Sequence, residues 1–216
     1  MINPSLLACD FAHLAREIRS AEEAGAHILH LDIMDGHFVP NLSIGIPIVE
    51  AIRRSTPLPL DVHLMLDEPE RYVEPFRKAG ADLLTVHIEV LPDPRPLLDR
   101  IRRLGAVPGL TLTPPTPVET LLPFVKECGI VLTMSVMPGF GGQQFDTAAP
   151  EKIRAIAETV SPGTLISVDG GINVDTIRSC AAAGANTFVA GTAFFGAEDR
   201  KTRMRDLLVA CESQPG

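Results

Sequence analysis

The sequence predicts an α/β fold, a single (β/α)8 barrel (TIM barrel) that extends over residues 1–216. A helix that ends at a glycine and leads into an apolar strand recurs along the chain, as in "EAGAHILHLDI" and "KAGADLLTVHIE". Glycine favours the end of a helix because it adopts the left-handed conformation without a steric cost. The glycines of this phrase are Gly25, Gly80, Gly105, Gly129 and Gly184.

The spacing of these glycines predicts eight strands. The gaps between them are 55, 25, 24 and 55 residues, so the long gaps are about double the short ones. Each long gap contains one further helix-to-strand transition, at "STPLPLDVHLM" and at "SPGTLISVDGG". Together with the opening strand "INPSLLA", these transitions give eight βα units. A doubly wound open sheet is the alternative, but even spacing favours a closed barrel.

The segments between the strands have the apolar periodicity of amphipathic helices. In "DFAHLAREIRSAEEAG", apolar side chains recur at i, i+3, i+4 and i+7. These positions are Phe11, Leu14, Ala15 and Ile18. Asp10 precedes them and is expected to cap the helix, because its carboxylate can accept hydrogen bonds from free backbone N–H groups.

Composition excludes several classes of function. The formal net charge is −8 and there is no run of Lys or Arg, which argues against a nucleic-acid partner. No apolar run approaches the ~18 residues of a membrane span, and "MINPSLLACD" lacks the features of a signal peptide. The four cysteines are scattered without a CxxC pair. We therefore expect a cytoplasmic protein that binds neither nucleic acid nor membrane.

Imidazole and carboxylate side chains lie near the ends of predicted strands, where a barrel places its active site. Strand 2, "HILHLDIM", has His30 and Asp32 in phase, and alternation directs both into the barrel. Strand 3 contributes His63, and strand 7 ends at Asp169. Buried carboxylates need a partner, and two His with two Asp suit zinc, iron(II), manganese or cobalt. We expect these four residues to bind one divalent metal ion.

Three further polar residues lie near this set. His87 and Glu89 end strand 4 in "TVHIE", and they either support the metal site from outside or serve the fold. Asp35 follows strand 2 in "MDGHFVPN". Because Asp-Gly is a turn signal, we expect Asp35 to shape this loop.

Glycine-rich turns follow the last three strands. They read "SVMPGFGGQQF", "DGGI" and "VAGTAFF" after strands 6, 7 and 8. Glycine lets backbone N–H groups approach an anion, and barrels of this kind often bind phosphate after strands 7 and 8. We expect a phosphorylated small molecule, held by backbone donors and helix N-termini rather than by Lys or Arg.

Four motifs identify a resemblance to a known family. "HLDIMDGHFVPN", "DVHLM", "MSVMPGFGGQQF" and "VDGGI" closely resemble ribulose-phosphate 3-epimerases, and the similarity runs from "PSLLACDF" to "VAGTAFF". The resemblance implies a metal-dependent barrel enzyme of the pentose phosphate pathway, an isomerase that interconverts D-ribulose 5-phosphate and D-xylulose 5-phosphate. It also implies a homo-oligomer.

The resemblance assigns a role to each motif residue. It makes His30, Asp32, His63 and Asp169 the metal ligands, and Asp32 and Asp169 also the acid/base pair. The residues that it places around the substrate are Ser5, Met34, His63, Met65, Met134, Gly139, Phe140, Gly141, Gly142, Gly170, Gly171, Gly191 and Thr192. Thr192 stands where the family usually has Ser, so the hydroxyl is kept. Met137 stands at a position that is commonly polar.

Inversion at C3 requires loss of the C3 proton and its return to the opposite face, through an enediolate that a metal ion stabilises. One alternative is 3-epimerisation of another ketose phosphate, such as allulose 6-phosphate. Another is a non-catalytic barrel that only binds sugar phosphates. A Schiff-base aldolase would need a lysine at the barrel mouth, but all four lysines fall on predicted helices or their ends. A metal-free phosphate-binding enzyme would leave the His and Asp residues without a purpose.

Overall fold

A computed structural model describes residues 1–212 of the chain. Its eight strands are parallel and follow the order β1-β8-β7-β6-β5-β4-β3-β2. The strands are β1 (Ile2–Pro4), β2 (Leu29–Met34), β3 (Leu60–Met65), β4 (Leu83–His87), β5 (Val107–Leu112), β6 (Ile130–Met134), β7 (Leu165–Asp169) and β8 (Thr187–Ala190). Residues 213–216 of the predicted domain lie outside the described residues. The predicted (β/α)8 barrel is confirmed.

Helices alternate with the strands and pack around the outside of the sheet. They are α1 (Leu14–Glu23), α2 (Ile46–Ser55), α3 (Val73–Ala79), α4 (Arg95–Arg103), α5 (Ala149–Ala157), α6 (Thr176–Ala182), α7 (Thr192–Phe195) and α8 (Arg200–Glu212). Asp10 accepts a hydrogen bond from the backbone N–H of Ala12 and so caps a 3-10 turn that leads into α1. Among residues 1–212, no helix is both long and apolar enough to cross a membrane.

The barrel closes between its first two strands. Ser5, one residue beyond β1, forms a parallel bridge with His30 of β2. β1 also pairs with β8 along its whole length, from Ile2 opposite Phe188 to Pro4 opposite Ala190. Closure therefore depends on a residue that also lies at the mouth of the barrel.

Side chains along β2 alternate between the core outside the sheet and the interior of the barrel. Leu29, Leu31 and Ile33 are buried in the main hydrophobic core between the sheet and the helices. His30 and Asp32 alternate with them and are equally buried, on the inner face of the barrel. The strand is thus apolar toward the helices and polar toward the barrel axis.

The connection from β5 to β6 departs from the predicted pattern. Gly25, Gly80, Gly105 and Gly184 have positive φ as expected, but Gly129 does not. The segment before it forms 3-10 turns at Val118–Thr120 and Leu122–Glu127 instead of an α-helix. Four prolines at positions 114, 115, 117 and 123 remove the backbone donors that an α-helix would need. The prediction of a left-handed helix terminus at Gly129 was wrong for this reason.

Candidate active site

A cleft of about 900 Å³ opens at the C-terminal ends of the strands. The predicted site residues that line it are Ser5, Asp32, Met34, Met65, Met134, Gly139, Phe140, Gly141, Gly142, Asp169, Gly170, Gly171, Gly191 and Thr192. His30 and His63 do not line the cleft, because both imidazoles are fully buried beneath its floor. The structure thus brings the predicted residues to one end of the barrel.

The carboxylate of Asp32 lies at the centre of the buried polar cluster. Its Oδ1 is 3.3 Å from Nε2 of His30 and 3.3 Å from Nδ1 of His63. Its Oδ2 accepts a hydrogen bond of 2.6 Å from the hydroxyl of Ser5. Nε2 of His30 is also 4.0 Å from Oδ2 of Asp169. Three strands, β2, β3 and β7, therefore direct four donor groups toward one point.

These groups fit a divalent cation. His30, Asp32, His63 and Asp169 each offer one ligand atom, and these atoms all lie within 4.8 Å of one another. Nε2 of His30 is buried and makes no hydrogen bond to any of residues 1–212. A buried nitrogen without a hydrogen bond is costly, and a metal ion would remove that cost. Two imidazoles with two carboxylates form a donor set that zinc and other first-row metals accept.

Side chains outside the cluster orient both histidines. Nδ1 of His30 is 2.7 Å from Oδ2 of Asp61, which is almost completely buried. Nε2 of His63 is 2.9 Å from Nε2 of His87, whose Nδ1 is 3.1 Å from Glu89. Carboxylates that bond the outer nitrogen of a metal-binding histidine are typical of metal sites. The sequence interpretation included His87 and Glu89 but missed Asp61, although Asp61 alternates in phase with His63.

The environment moves the pKa values of Asp32 and Asp169 apart. Burial alone would raise the pKa of Asp32, but His30 and His63 hold it well below its usual range. Burial raises the pKa of Asp169 to about 6, and the neighbouring charge of Asp32 adds to this effect. One carboxyl can therefore carry a proton while the other does not. This difference is what proton transfer between two acids requires.

The pKa values of both His87 and Glu89, which support the cluster from outside, are lowered. Burial lowers the pKa of His87 to about 4, although the hydrogen bond to Glu89 opposes that effect. Burial would raise the pKa of Glu89, but hydrogen bonds from His87, Thr113 and Thr116 lower it to about 2. The pair therefore consists of a neutral imidazole and an ionised carboxylate at neutral pH.

Asp35 belongs to the loop after β2 rather than to the metal cluster. Its Oδ1 accepts hydrogen bonds from the backbone N–H groups of His37 and Phe38, at 2.8 and 2.9 Å. Its Oδ2 accepts another, of 2.9 Å, from the N–H of Asp67. These bonds join the loop after β2 to the loop after β3. Asp35 thus shapes the mouth of the barrel, as its place in a turn predicted.

Three methionines form apolar walls next to the acids. Met34 and Met65 pack with Val39 in one small buried cluster. Met134 packs with Leu132 and Val136 in another. Thioether side chains neither donate protons nor attract water strongly, so these walls form an apolar surface beside the two carboxyls.

The glycine-rich loop after β6 is fixed from two sides. The side-chain amide of Asn41 donates a hydrogen bond of 2.6 Å to the carbonyl of Gly139. The amide of Gln143 donates to the carbonyls of Met137 and Phe140. This network ties the loop to the one after β2, across the mouth of the cleft.

The turn after β7 requires glycine. Gly170 has φ of +115°, and a Cβ there would lie 2.9 Å from the backbone nitrogen of Val136. Gly171 has φ of +59°, and a Cβ there would lie 3.0 Å from the backbone nitrogen of Phe145. A side chain at either position would push the loops after β6 and β7 apart. The glycines thus set the width of this part of the cleft.

One cationic side chain lines the cleft where the sequence predicted none. Arg203 of α8 is partly buried, and its guanidinium makes no hydrogen bond or ion pair with any of residues 1–212. Arg200 on the same helix, by contrast, donates to Glu17 at 2.7 Å. No motif contains Arg203, and only the packing of α8 beside α7 brings it to the mouth. The sequence therefore offered no signal for this residue.

Solved structures show the same fold at low sequence identity. Orotidine 5'-phosphate decarboxylase from Pyrococcus horikoshii OT3 matches with a TM-score of 0.72 and 16% identity, covering 99% of this chain and 100% of that one. KGPDC from Streptococcus mutans also has a TM-score of 0.72 and 16% identity, covering 100% and 98%. At such identities the likeness shows the fold alone.

Sequence comparison is more specific. The profile of the "Ribulose-phosphate 3 epimerase family" matches residues 1–195. A ribulose-phosphate 3-epimerase of Bacillus subtilis (strain 168) is 45% identical over 210 residues, which cover 95% of this chain and 97% of that protein. The "Ribulose-phosphate 3-epimerase, cytoplasmic isoform" of Oryza sativa subsp. japonica is 48% identical over 202 residues, or 92% and 88%. With the barrel and its His2Asp2 cluster in place, this chain belongs to the ribulose-phosphate 3-epimerase family.

Proposed function

We propose that this chain is a metal-dependent 3-epimerase that interconverts D-ribulose 5-phosphate and D-xylulose 5-phosphate. One observation carries the proposal: two carboxylates and two imidazoles converge within 4.8 Å at the floor of a sugar-sized cleft. Similarity to enzymes named ribulose-phosphate 3-epimerase supports the reaction. The whole barrel then acts as one catalytic domain.

The two acids exchange protons with C3 from opposite faces of the sugar. Asp32 comes from β2 and Asp169 from β7, with β1 and β8 between them in the sheet. The ionised carboxyl accepts the C3 proton, and the protonated carboxyl gives its own proton to the other face. The two acids finish with their protonation states exchanged. The reverse reaction uses the same pair in the opposite order, so no redox cofactor is required.

A divalent cation held by His30, Asp32, His63 and Asp169 supplies Lewis-acid stabilisation of the negative charge that develops when C3 loses its proton. The donor set supports zinc, iron(II), manganese or cobalt as the metal. Ser5 orients Asp32 through its hydroxyl. Met34, Met65 and Met134 keep water away from the reacting carbons.

Phosphate recognition combines backbone donors with one cation. We assign the glycine turns after β6, β7 and β8 to the phosphate, because backbone N–H groups there can approach an anion closely. Thr192 provides a hydroxyl at the N-terminus of α7. Arg203 is the one cationic side chain among the described residues that line the cleft. An unpaired guanidinium is well suited to a phosphate dianion.

Two wider properties complete the proposal. We place the protein in the cytoplasm, which agrees with the name of the Oryza sativa relative, a cytoplasmic isoform. We also expect a homo-oligomer, since the sequence resemblance implies one. The net charge of −8 supports a small-molecule substrate rather than nucleic acid.

Substrate identity separates the main proposal from its nearest alternative. Metal-reconstituted protein should epimerise ribulose 5-phosphate with a kcat/KM at least roughly 10-fold above that for allulose 6-phosphate, a difference of about 1.4 kcal/mol in transition-state binding. A coupled assay with both sugars measures this ratio. A preference for allulose 6-phosphate would assign the chain to the other sugar, and binding of both without turnover would indicate a sugar-phosphate sensor.

Asp169→Asn removes one member of the acid pair. Epimerisation should fall by at least ~10²-fold, because a positioned general acid or base contributes about that much. Exchange of the C3 proton with solvent deuterium should survive for one of the two epimers, since Asp32 remains able to accept a proton. Exchange is followed by NMR and epimerisation by the coupled assay.

The matched control for this variant is Asp175→Asn, an exposed acid on the same loop. It should leave both rates unchanged. The metal content of each variant is measured alongside, so that loss of metal is recognised. Full epimerisation by the metal-loaded Asp169→Asn protein would eliminate the two-acid mechanism.

Arg203→Gln removes the cation from the cleft. KM for ribulose 5-phosphate should rise roughly 10-fold or more with kcat little changed, because a hydrogen bond to a charged group contributes about 1.5–3 kcal/mol. The variant and the wild type should not differ in their rates with unphosphorylated D-ribulose, which has no phosphate for Arg203 to bind. Arg205→Gln, an exposed position on the same helix, is the control. An unchanged KM in Arg203→Gln would show that backbone donors alone bind the phosphate.

A further inference from the structure

A continuous line of hydrogen bonds leads from the metal cluster to a loop carboxylate. Nε2 of His63 faces Nε2 of His87 at 2.9 Å, and Nδ1 of His87 faces Oε2 of Glu89 at 3.1 Å. Both imidazoles are fully buried, and the ring of Phe38 packs against His87 with centroids 4.4 Å apart. Each ring nitrogen along this line either donates or accepts a hydrogen bond. The group at one end of the line therefore determines which nitrogens carry hydrogens as far as the other end.

Glu89 fixes the outer end of the line. Its Oε1 accepts hydrogen bonds from the backbone N–H and the hydroxyl of Thr113, at 2.6 and 2.9 Å, and from the hydroxyl of Thr116 at 2.6 Å. Three donors on one oxygen stabilise the ionised form, which can only accept. Nδ1 of His87 must therefore carry the hydrogen that lies between it and Glu89.

The position of the hydrogen on His87 determines which ring nitrogen of His63 carries a hydrogen. The two Nε2 atoms are 2.9 Å apart, so one hydrogen lies between the rings, and the hydrogen of His87 is already on Nδ1, facing Glu89. Nε2 of His87 can then only accept, so the hydrogen between the two rings belongs to Nε2 of His63. Nδ1 of His63 is left with a free lone pair, directed at Oδ1 of Asp32 from 3.3 Å. A lone pair facing a carboxylate oxygen repels it, and a cation between them would turn that repulsion into two bonds.

We propose that Glu89, acting through His87, is a positioning residue that holds His63 in the tautomer whose Nδ1 can bind the metal. The inference rests on the proposed function, because it takes His63 as a metal ligand. His30 achieves the same result in one step, through its 2.7 Å contact with Asp61. The two histidines thus present opposite ring nitrogens to the same point, Nε2 from His30 and Nδ1 from His63.

Glu89→Gln tests the proposal with little change in volume. The donors from Thr113 and Thr116 require an oxygen, so the amide NH2 of the new side chain must face His87 and donate to it. The hydrogens on both rings should then move to the opposite nitrogens, which places one on Nδ1 of His63, where the metal would bind. The affinity for Zn²⁺, measured by chelator competition without substrate, should fall about 10- to 100-fold.

A second readout follows the tautomer itself. In ¹⁵N NMR spectra of the metal-free protein at pH 8, His63 of the wild type should carry its hydrogen on Nε2, and Glu89→Gln should shift it to Nδ1. Glu119→Gln, an exposed glutamate in the turn after β5, should change neither the spectrum nor the affinity. A merely structural role for Glu89 would lower the melting temperature of the variant without moving the tautomer.

Two results would overturn the proposal. One is a wild-type protein in which His63 carries its hydrogen on Nδ1, an outcome that requires no variant to fold. The other is a Glu89→Gln protein with unchanged tautomer and with Zn²⁺ affinity within twofold of the wild type. A wild type that epimerises ribulose 5-phosphate but gives either result loses this inference alone. A wild type that binds no divalent metal contradicts the proposed metal site instead.

Discussion

The buried carboxylate of Asp32 is the constraint on which the rest of the site depends. Its side chain is 5% exposed, and transfer of an unpaired charge to such a place costs several kcal/mol. The hydroxyl of Ser5 donates to it at 2.6 Å and lowers that cost, and ring nitrogens of His30 and His63 lie 3.3 Å from it. The cluster is most stable when a cation balances the charge of the acids and accepts the lone pairs of the histidines. The chemistry of the cleft follows from this balance of charges.

The barrel provides this balance through its regular geometry. Parallel strands in register place Asp32 opposite His63, and His30 opposite Asp61. Ser5 both bridges β1 to β2 and donates to Asp32, so closure of the barrel and orientation of the acid share one residue. Carboxylates outside the cluster then fix the histidine rings. Rigid strands thus support the candidate ligands, whereas the loops after β6, β7 and β8 carry the glycines that line the cleft.

Much of this arrangement could be predicted from the sequence because its signals are local. Alternation along a strand has a period of two, so it placed His30 and Asp32 on the inner face without any knowledge of distant contacts. Asp61 carried the same signal, in phase with His63, but a single acid in an apolar strand did not stand out. Gly129 was misread because the prolines before it prevent an α-helix. The contribution of Arg203 depends on how α8 packs across the barrel, which no local pattern encodes.

The location of a metal ion in crystals of the protein tests the central claim most directly. Crystals grown with Co²⁺ should show one anomalous-scattering peak per chain in the cleft. It should lie about 2.0–2.2 Å from Nε2 of His30, Nδ1 of His63 and one carboxylate oxygen each of Asp32 and Asp169. A peak elsewhere, ligation of His63 through Nε2, or no peak in crystals soaked to saturation would contradict the account.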